Sequence, residues 1–473
     1  MGVALLGDGT MDSVAVSSYR CFGEEQAARL APVTLLVGEN STGKSSLMAM
    51  IRALWDAVYA DRVPDFKEEP YDLGSFDEIL HDTGGRGTRA PSFAARFEVR
   101  AAASRSGARS EPCQAEVEFG PHQAAPTPVR RRVSRDGCWL EQDLSAAGFG
   151  GIRFGTPQGE WKSEASGGGR AFASNAADTL PPLDSALWHL RRIADEDRPA
   201  VSRVEPLPGS PEFTAEIVEE IRQRIGHFPG GRPHRSRPYD RARPFASAPT
   251  RSRPRRTYDP ARAAPDAEGD YVPTHLAWLS LHEPDTWQNL QDRLEEFGSA
   301  AGLFDEIRVR RLGRTASDPF QLQVRKFDNG RKGPIHSLAD MGYGVSQILP
   351  LAAELLRDDS PRTLLVQQPE VHLHPSAQAA LGALLCEVAA GDRHGRRLII
   401  ETHSDFIIDR VRMSVRDQVG GMRPEDVSIV YFERDGHDVV IHNLRVDKKG
   451  SLLDAPPGYR QFFLEELQRS IDL

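Results

Sequence analysis

The sequence has few cysteines and no long apolar run. Its four cysteines, Cys21, Cys113, Cys138 and Cys386, are far apart and none belongs to a Cys-x-x-Cys pair. This spacing indicates neither a zinc site nor a disulfide framework, and it fits a reducing compartment. No apolar run approaches the roughly 18 to 20 residues that span a bilayer. The first residues, MGVALLGDGTMDSV, also lack the basic start of a secretory signal. We therefore predict a cytoplasmic protein without membrane contact.

An excess of positive charge is also missing. The 59 lysines and arginines are outnumbered by 68 aspartates and glutamates, so the formal net charge of the 473 residues is −9. Any nucleic-acid contact must then come from a local patch. The densest patch is residues 230–262, where arginines are interleaved with prolines. Because proline disfavours helix, we predict an extended, mobile or surface-draped segment. It is interpreted either as a DNA contact or as a solvated linker that balances acidic neighbours.

One motif stands out against these absences. Gly38–Ser45 reads G-x-x-x-x-G-K-S, with a predicted strand, Pro32–Val37, before it and a predicted helix, Lys44–Trp55, after it. Strand, glycine turn and helix are the context in which such a loop binds phosphates. Lys44 is predicted to reach the β- and γ-phosphates, and Ser45 to hold Mg²⁺. The predicted nucleotide contacts of this loop are Gly38, Glu39, Asn40, Ser41, Thr42, Gly43, Lys44, Ser45 and Ser46.

Alternating and helical patterns fill the rest of the chain. Phe93–Val99 alternates as an antiparallel strand does, and we predict further strands from residue 90 to about 155. Residues 182–226 are predicted as helical with a break near residues 206–211, residues 272–300 as helical, and 306–326 as strands. From residue 345 onward helices and strands alternate, which predicts a parallel β/α arrangement that ends in a hairpin.

Three later segments provide the rest of a nucleotide site. Residues 336–347 form a glycine-rich turn that opens a helix, which suits an anion or a simple capped turn. Residues 363–370 form an apolar strand with a polar end, the shape of a Walker B strand. Residues 398–405 form a buried strand that ends next to His403, where ligands of α/β sheets bind.

These segments, GENSTGKSS, YDLGSF, DMGYGVSQILPL, QQPEVHLHP and ETHSDFIIDR, follow one another in that order. The chain thereby resembles the bacterial ABC-type ATPases of the OLD, Septu-ATPase and SMC-like group, often labelled AAA-family ATPases. The resemblance implies ATP and Mg²⁺ as cofactors and a homodimer that sandwiches ATP between two heads. It also implies Asp72–Phe76 as the Q-loop segment, His372–Pro375 as the D-loop and His403 as the switch histidine. The implied signature that caps the partner's nucleotide contains Gly342, Gly344, Ser346 and Gln347.

The chain departs from this group at the end of its Walker B strand. The group usually has Glu-Glu-Pro-Glu or Glu-Gln-Pro-Glu, whereas this chain has Gln367-Gln368-Pro369-Glu370. The resemblance makes Gln367 the Mg²⁺ ligand beside Ser45, and Gln368, Glu370 and His403 the catalytic candidates. An amide has no negative charge and cannot accept a proton. The change is therefore interpreted as an engineered trap, as a natural slow hydrolase, or as a site in which Glu370 polarises the water.

The predicted fold class is α/β, an ABC-ATPase head with a mixed central sheet, an antiparallel β subdomain and a helical or irregular insertion. We assign residues 1–175 to the N-terminal half of the head, 176–304 to the insertion and 305–473 to the C-terminal half. The predicted function is an ATPase with slow hydrolysis that controls a separate, nuclease-like effector, and the resemblance implies anti-phage defence. Two alternatives stay open: a non-hydrolysing, ATP-sensing scaffold, and a DNA-repair-type head that contacts DNA through residues 230–262.

Overall fold

The computed structural model describes residues 11–82, 90–99, 112–144, 150–164, 179–183, 186, 190, 204–225, 243–260, 264–391, 396–459 and 468–469. The strands of these residues are β1 (Ser13–Ser17), β2 (Gln26–Arg29), β3 (Val33–Gly38), β4 (Phe93–Val99), β5 (Cys113–His122), β6 (Ala125–Arg135), β7 (Cys138–Asp143), β8 (Gly151–Thr156), β9 (Gly159–Glu164), β10 (Val204–Pro206), β11 (Phe245–Ser247), β12 (Glu306–Arg311), β13 (Phe320–Asp328), β14 (Arg331–Ser337), β15 (Thr363–Gln367), β16 (Arg397–Glu401), β17 (Val427–Asp435), β18 (Asp438–Val446) and β19 (Leu452–Leu453).

The helices of the described residues are α1 (Lys44–Tyr59), α2 (Phe76–Ile79), α3 (Ala215–Ile225), α4 (Val272–His282), α5 (Pro284–Ala300), α6 (Tyr343–Leu356), α7 (Pro375–Gly391) and α8 (Asp405–Arg416). In the part of the chain that the structure describes, no helix combines the length and the apolar composition that crossing a membrane would need.

The chain forms two compact units, each built from segments that are distant in sequence. The first comprises Met1–Leu30, Glu39–Arg243 and Phe432–Ile441, and the second comprises Ala31–Gly38, Pro244–Tyr431 and His442–Leu473. The division into residues 1–175, 176–304 and 305–473 stays a sequence-based prediction. The predicted helical stretch over 184–203 lies almost entirely outside the described residues.

The first unit contains a nine-stranded sheet in the order β10-β9-β8-β7-β6-β5-β4-β1-β2. Every neighbouring pair in it is antiparallel. In β4, every second residue from Phe93 to Val99 is buried, so the predicted alternation of this strand is confirmed. Phe93 stacks on Phe119 of β5 at 5.0 Å between ring centroids, and Phe66 meets Phe119 edge-on at 5.4 Å. This aromatic cluster forms part of the core of the antiparallel subdomain.

A seven-stranded sheet has the order β11-β15-β16-β3-β17-β18-β19, and most of its residues belong to the second unit. β11, β15, β16 and β3 run parallel, while β18 and β19 are antiparallel, so the central sheet is mixed as predicted. A three-stranded antiparallel sheet, β12-β13-β14, precedes α6 in the chain. The leucines, isoleucines and valines of α4 to α8 share one hydrophobic core with these strands.

The helical prediction for residues 272–300 is confirmed. These residues form two helices, α4 and α5, because Glu283 leaves helical geometry (φ −134°, ψ 68°) and Pro284 begins a new helix. The prediction for the arginine- and proline-rich segment needs correction, because the segment is extended in part but is not confined to the surface. Its residues Phe245–Ser247 form β11, which pairs with β15 in the central sheet.

A buried arginine links the sheet of the first unit to the end of α1. Arg131 of β6 is fully buried. Its guanidinium donates to Gln142 Oε1 of β7 at 2.6 and 2.9 Å, to Asp61 Oδ1 at 2.7 Å and to the Ala57 carbonyl at 2.5 Å. It also donates to the carbonyl of Pro181. The neighbouring Arg130 instead pairs with Glu118 near the surface.

The replacement Arg131→Met should therefore lower the free energy of unfolding by about 3–5 kcal/mol, because it leaves the partners of a buried charge unpaired. Arg130→Met, on the other face of the same strand, should cost less than about 1 kcal/mol. Urea unfolding followed by circular dichroism measures both values. Equal losses for the two variants would contradict the structural role of Arg131.

Candidate functional site: the phosphate loop and the ends of the parallel strands

The glycine-rich loop has the backbone geometry that its sequence motif predicts. β3 ends at Gly38, and α1 begins at Lys44. Gly43 immediately before the helix has φ 86°, in the left-handed region. A Cβ atom there would lie 2.5 Å from Cys21 Sγ and 2.7 Å from Phe22 Cζ. Both the backbone angle and the close approach therefore require glycine at this position.

The Lys44 side chain folds back against the backbone of this loop. Its side chain is buried, and its Nζ donates to the Glu39 carbonyl at 2.5 Å. Thr42 Oγ1 donates to the same carbonyl at 2.8 Å. Among the described residues no side chain caps the start of α1, and its first turn contains no acidic residue. The loop thus combines a lysine, a glycine that no side chain could replace and the positive end of a helix, which is a donor set that fits a triphosphate.

The parallel strands of the second unit bring the other predicted segments to one edge of the sheet. Gln367 of β15 is paired in register with Glu401 of β16, and Glu401 with Leu36 of β3. Because the strands are parallel, all three carboxyl ends lie at the same edge. The loops that leave this edge begin at Gly38, Gln368 and Thr402. Ligands of α/β sheets bind outside such an edge.

The two glutamines at the end of β15 differ in their surroundings. The Gln367 side chain is buried, and its Oε1 has no hydrogen-bond partner among the described residues. The Gln368 backbone has φ 40°, and its N–H donates to the Glu401 carbonyl at 2.8 Å. A buried carbonyl oxygen without a donor is costly unless a ligand, a metal ion or water completes it. Gln367 therefore fits the predicted role of an oxygen ligand near Mg²⁺.

Glu370 is the one carboxylate of the Gln-Gln-Pro-Glu motif, and His403 follows the next strand. Glu370 Oε1 accepts the backbone N–H of His403 at 2.6 Å, and the carboxylate also hydrogen-bonds the side chain of Thr402. Its Oε2 is buried without a hydrogen-bond partner in the described part of the chain. Burial raises the pKa of Glu370 above its usual range, against the opposing effects of these hydrogen bonds and of Arg251. The structure thus brings Glu370 to the His403 backbone, while the His403 residue is exposed.

The predicted signature begins α6. Gly342 is exposed, and a Cβ atom on it would meet nothing within 4 Å. Tyr343 is 54% exposed, and its ring lies beside that of His372 at 5.4 Å between centroids, with the ring planes tilted by 38°. At Gly344 a Cβ atom would lie 2.9 Å from the His372 carbonyl, so this glycine permits close packing on the 372–375 segment.

The last two signature residues are oriented inward. Ser346 and Gln347 are both buried, and Ser346 Oγ donates to the Tyr343 carbonyl at 3.0 Å. The Gln347 amide is hydrogen-bonded to the backbone of Arg251 through both of its polar atoms. The accessible part of the signature is therefore Gly342 and Tyr343, and the nucleotide contacts of Ser346 and Gln347 stay predictions.

Arg251 is the site residue that sequence reasoning missed. It is buried, and its NH2 donates to the Gln367 carbonyl at 3.3 Å. In the sequence it is one arginine among many in the 230–262 segment, for which arginine content alone indicated either a DNA contact or a solvated linker. The only signal that could have separated it is the short apolar stretch Phe245–Ala248 just before it.

Comparisons with known proteins agree with this geometry. Residues 189–409 match the family described as "AAA domain, putative AbiEii toxin, Type IV TA system". The match contains the signature, the Gln367 strand and His403, while the Gly38–Ser45 loop precedes it.

One curated relative is an OLD nuclease of Thermus scotoductus, 27% identical over 150 residues. That match covers 30% of this chain and spans 27% of the length of the nuclease.

The similar solved structures include heads of SMC proteins. An SMC head bound to the C-winged helix domain of ScpA has a TM-score of 0.44 at 9% identity and covers 93% of this chain and 98% of its own. An SMC head domain from Thermotoga maritima has a TM-score of 0.35 at 12% identity, with 92% and 99% covered. A Pyrococcus furiosus Smc head, bound to the C-terminal domain of ScpA, has 0.44 at 10%, with 97% and 99% covered.

The family match and the OLD relative show that this chain is similar to AAA/ABC-type ATPases of the OLD/SMC-like group, and the phosphate loop and the parallel strand ends described above fit that similarity.

Proposed function

We propose that two copies of this chain close around ATP and Mg²⁺, hydrolyse the ATP slowly, and use the change of assembly to control a separate effector protein. The observation that carries the proposal is the contrast between two parts of one site. The loop that holds phosphates is complete in sequence and geometry, whereas the end of β15 has two neutral amides. Such a site retains nucleotide binding and loses most of the acceleration of hydrolysis.

The residues of the phosphate loop would bind and orient the nucleotide. Backbone N–H groups from Gly38 to Ser46 and the start of α1 suit the phosphates, and Lys44 contributes the charge. Ser45 and Gln367 stay the predicted ligands of Mg²⁺. When bound, the metal ion offsets the negative charge that develops on the phosphates.

Glu370 is the best candidate for a proton acceptor in this site. An amide at position 367 or 368 cannot take a proton from the attacking water, whereas a carboxylate can. Glu370 Oε1 is held by the backbone N–H of His403, and its Oε2 is buried without a protein donor in the described residues. The second oxygen thus keeps an unused acceptor position, and its contact with a water molecule requires that this edge of the sheet open when the nucleotide binds. Loss of a well-placed base typically reduces the rate about 10²- to 10⁴-fold, which supports slow turnover.

Closure of two copies is supported by the exposed start of α6. Gly342 is exposed and has φ −60° and ψ 156°, angles that any residue adopts. Within the described part of the chain, no backbone or packing constraint therefore explains a glycine there. Close approach of another molecule's phosphate would explain it.

A role in anti-phage defence with a nuclease-like effector is supported by resemblance alone. The curated relative is an OLD nuclease, and the matched stretch of this chain corresponds to 27% of that protein. The alternative of a non-hydrolysing, ATP-sensing scaffold is favoured by the same two glutamines, because the first two positions of the motif, which have one or two carboxylates in the resembled group, are both amides here.

A DNA contact through residues 230–262 gains no support from the part of this segment that the structure describes. Arg243 is paired with Asp56 and Glu68. Arg255 pairs with Asp270, and Arg256 with Asp340. These cations balance acidic neighbours, as the interpretation of the segment as a linker expects. Residues 226–242 lie outside the described residues.

We expect the unmodified chain to bind ATP and to hydrolyse it slowly but above the level of Lys44→Ala. Gln368→Glu restores a carboxylate and should raise kcat about 10²-fold or more, with a further gain when Gln367→Glu is added. A steady-state phosphate-release assay measures these rates, and isothermal titration measures ATP binding.

The controls decide between enzyme and scaffold. Lys44→Ala should abolish ATP binding and provides the blank. Glu370→Gln should remove the slow turnover of the unmodified chain while leaving ATP binding intact. If no variant exceeds the blank although ATP binds, the scaffold is the correct interpretation.

ATP-dependent dimerisation should depend on Gly342. Gly342→Arg places a long side chain where a partner's phosphate would lie, so this variant should remain monomeric at ATP concentrations that dimerise the unmodified chain. Light scattering after size-exclusion chromatography, with and without ATP and Mg²⁺, measures the mass. Gly391→Arg at the exposed end of α7 is the matched control, because a Cβ atom there also meets nothing within 4 Å. If Gly342→Arg still forms dimers with ATP, the start of α6 is not part of the dimer interface.

A further inference from the structure

The phosphate loop contains one residue with an unfavourable backbone conformation. Between Gly38 and Ser45, Ser41 is the residue other than glycine that has a positive φ, at 61°. This left-handed conformation brings the Cβ atom too close to the following carbonyl oxygen, so it persists only where neighbouring groups hold it. Residues of this kind cluster in ligand clamps. The partner of the Ser41 backbone therefore bears on the shape of the loop.

The Ser41 carbonyl is held by an arginine that lies 393 residues further along the chain. Arg434 NH2 donates to the Ser41 carbonyl oxygen at 2.9 Å, and both residues belong to the first unit. Arg434 is exposed and lies near the end of β17. Because its donor is charged, this hydrogen bond is stronger than one from a neutral group. The contact joins the phosphate loop to the turn between β17 and β18.

Two residues that pack on the glycine before α1 also anchor this turn. The Val439 N–H, which follows the turn, donates to the Cys21 carbonyl at 3.0 Å. The rings of Phe432 and Phe22 lie 6.3 Å apart between centroids. Cys21 Sγ and the Phe22 ring are the atoms that a Cβ atom on that glycine would meet. The position of Arg434 beside the loop is thus set by packing and not by its own side chain alone.

The bond to Arg434 also sets the direction of the next N–H group. In a planar trans peptide the carbonyl and the N–H point in opposite directions. Since the Ser41 carbonyl is turned toward Arg434, the Thr42 N–H points away from Arg434. This N–H has no hydrogen-bond partner among the described residues. Backbone donors without a protein partner are rare unless a ligand or water completes them.

We propose that Arg434 is a positioning residue of the phosphate loop, which keeps the Ser41–Thr42 peptide in the orientation that offers the Thr42 N–H to a nucleotide phosphate. This inference rests on the proposed function, because it adds a residue to the proposed ATP site. Thr42 is buried and its Oγ1 lies 3.4 Å from Lys44 Nζ, so Lys44 has to turn toward the incoming phosphate first. Without Arg434 the peptide can rotate and present its carbonyl oxygen, which repels a phosphate.

The first test reads the Ser41 backbone without any nucleotide. Crystal structures of the full chain, unmodified and with Arg434→Met, give the φ angle of Ser41 directly. The unmodified chain should keep Ser41 in the left-handed region. In Arg434→Met the φ of Ser41 should become negative, because the bond that offset the strain is gone. Arg445→Met removes an exposed arginine at the other end of β18 and should leave Ser41 unchanged.

The second test measures ATP binding by isothermal titration. Arg434→Met should raise the dissociation constant for ATP on the order of 10-fold, the scale of a hydrogen bond with a charged partner. Arg434→Lys should recover part of the affinity, because lysine keeps a charged donor but on a flexible stem. Arg445→Met, which removes the same charge from the same hairpin, should bind ATP as the unmodified chain does.

The third test separates positioning from simple attraction between charges. Ser41→Gly adopts the left-handed conformation without steric cost, so the loop no longer needs Arg434 to hold it. In the Ser41→Gly background, Arg434→Met should therefore raise the dissociation constant for ATP by less than about 3-fold. The two substitutions should thus be non-additive, as expected for residues that act through one peptide.

Two results would overturn the inference. One is a loss of affinity in the Ser41→Gly background as large as in the unmodified background, which would show that Arg434 attracts the nucleotide by its charge alone. The other is a left-handed Ser41 in the crystal structure of Arg434→Met. If the unmodified chain binds no ATP, the proposed function fails, yet the crystal structures still confirm or refute the effect of Arg434 on Ser41.

Discussion

The parallel pairing of β15, β16 and β3 is the constraint on which the site depends. Its register sets Gln367 beside Glu401 and Glu401 beside Leu36, so the loops that begin at Gly38, Gln368 and Thr402 all leave from one edge. A slip of one residue in any of these strands would turn its polar end toward the opposite face of the sheet. The fully buried apolar residues of the three strands make such a slip costly. Core packing therefore fixes the positions of the loops that form the site.

The charges at that edge underlie the proposal that the site binds ATP and turns it over slowly. Gln367 and Gln368 are neutral, and the remaining carboxylate of the motif, Glu370, is half-buried. Fewer negative charges where a triphosphate is proposed to bind mean weaker electrostatic repulsion, which favours the bound state. Amides also accept no proton, which slows hydrolysis. Gln367, Glu370 and Arg251 each have a buried polar atom without a partner in the described residues, and we attribute these unused positions to the proposed ligand.

The arginines of this protein have different structural roles that sequence composition does not distinguish. Arg131 is fully buried in a network that holds the antiparallel sheet against the end of α1. Arg243 and Arg256 form ion pairs with acidic side chains of their own units. Arg251, a few residues away in the sequence, lies in the core beside Gln367. Charge counted along the chain could not distinguish these cases, because the environment of each guanidinium is set by residues that are distant in sequence.

The sequence by itself determined the local features: the phosphate loop, the strand β4, the start of α1 and the polar ends of the later strands. Each depends on contacts within a few residues, namely periodicity, glycine geometry and helix starts, which a linear pattern records. The break between α4 and α5 could also have been predicted, because Pro284 interrupts a continuous helix. Only the tertiary structure decided that Phe245–Ser247 enters the central sheet, that Arg251 reaches Gln367 and Gln347, and that Ser346 and Gln347 are buried. These outcomes depend on pairings over about 100 residues of chain, for which no local pattern exists.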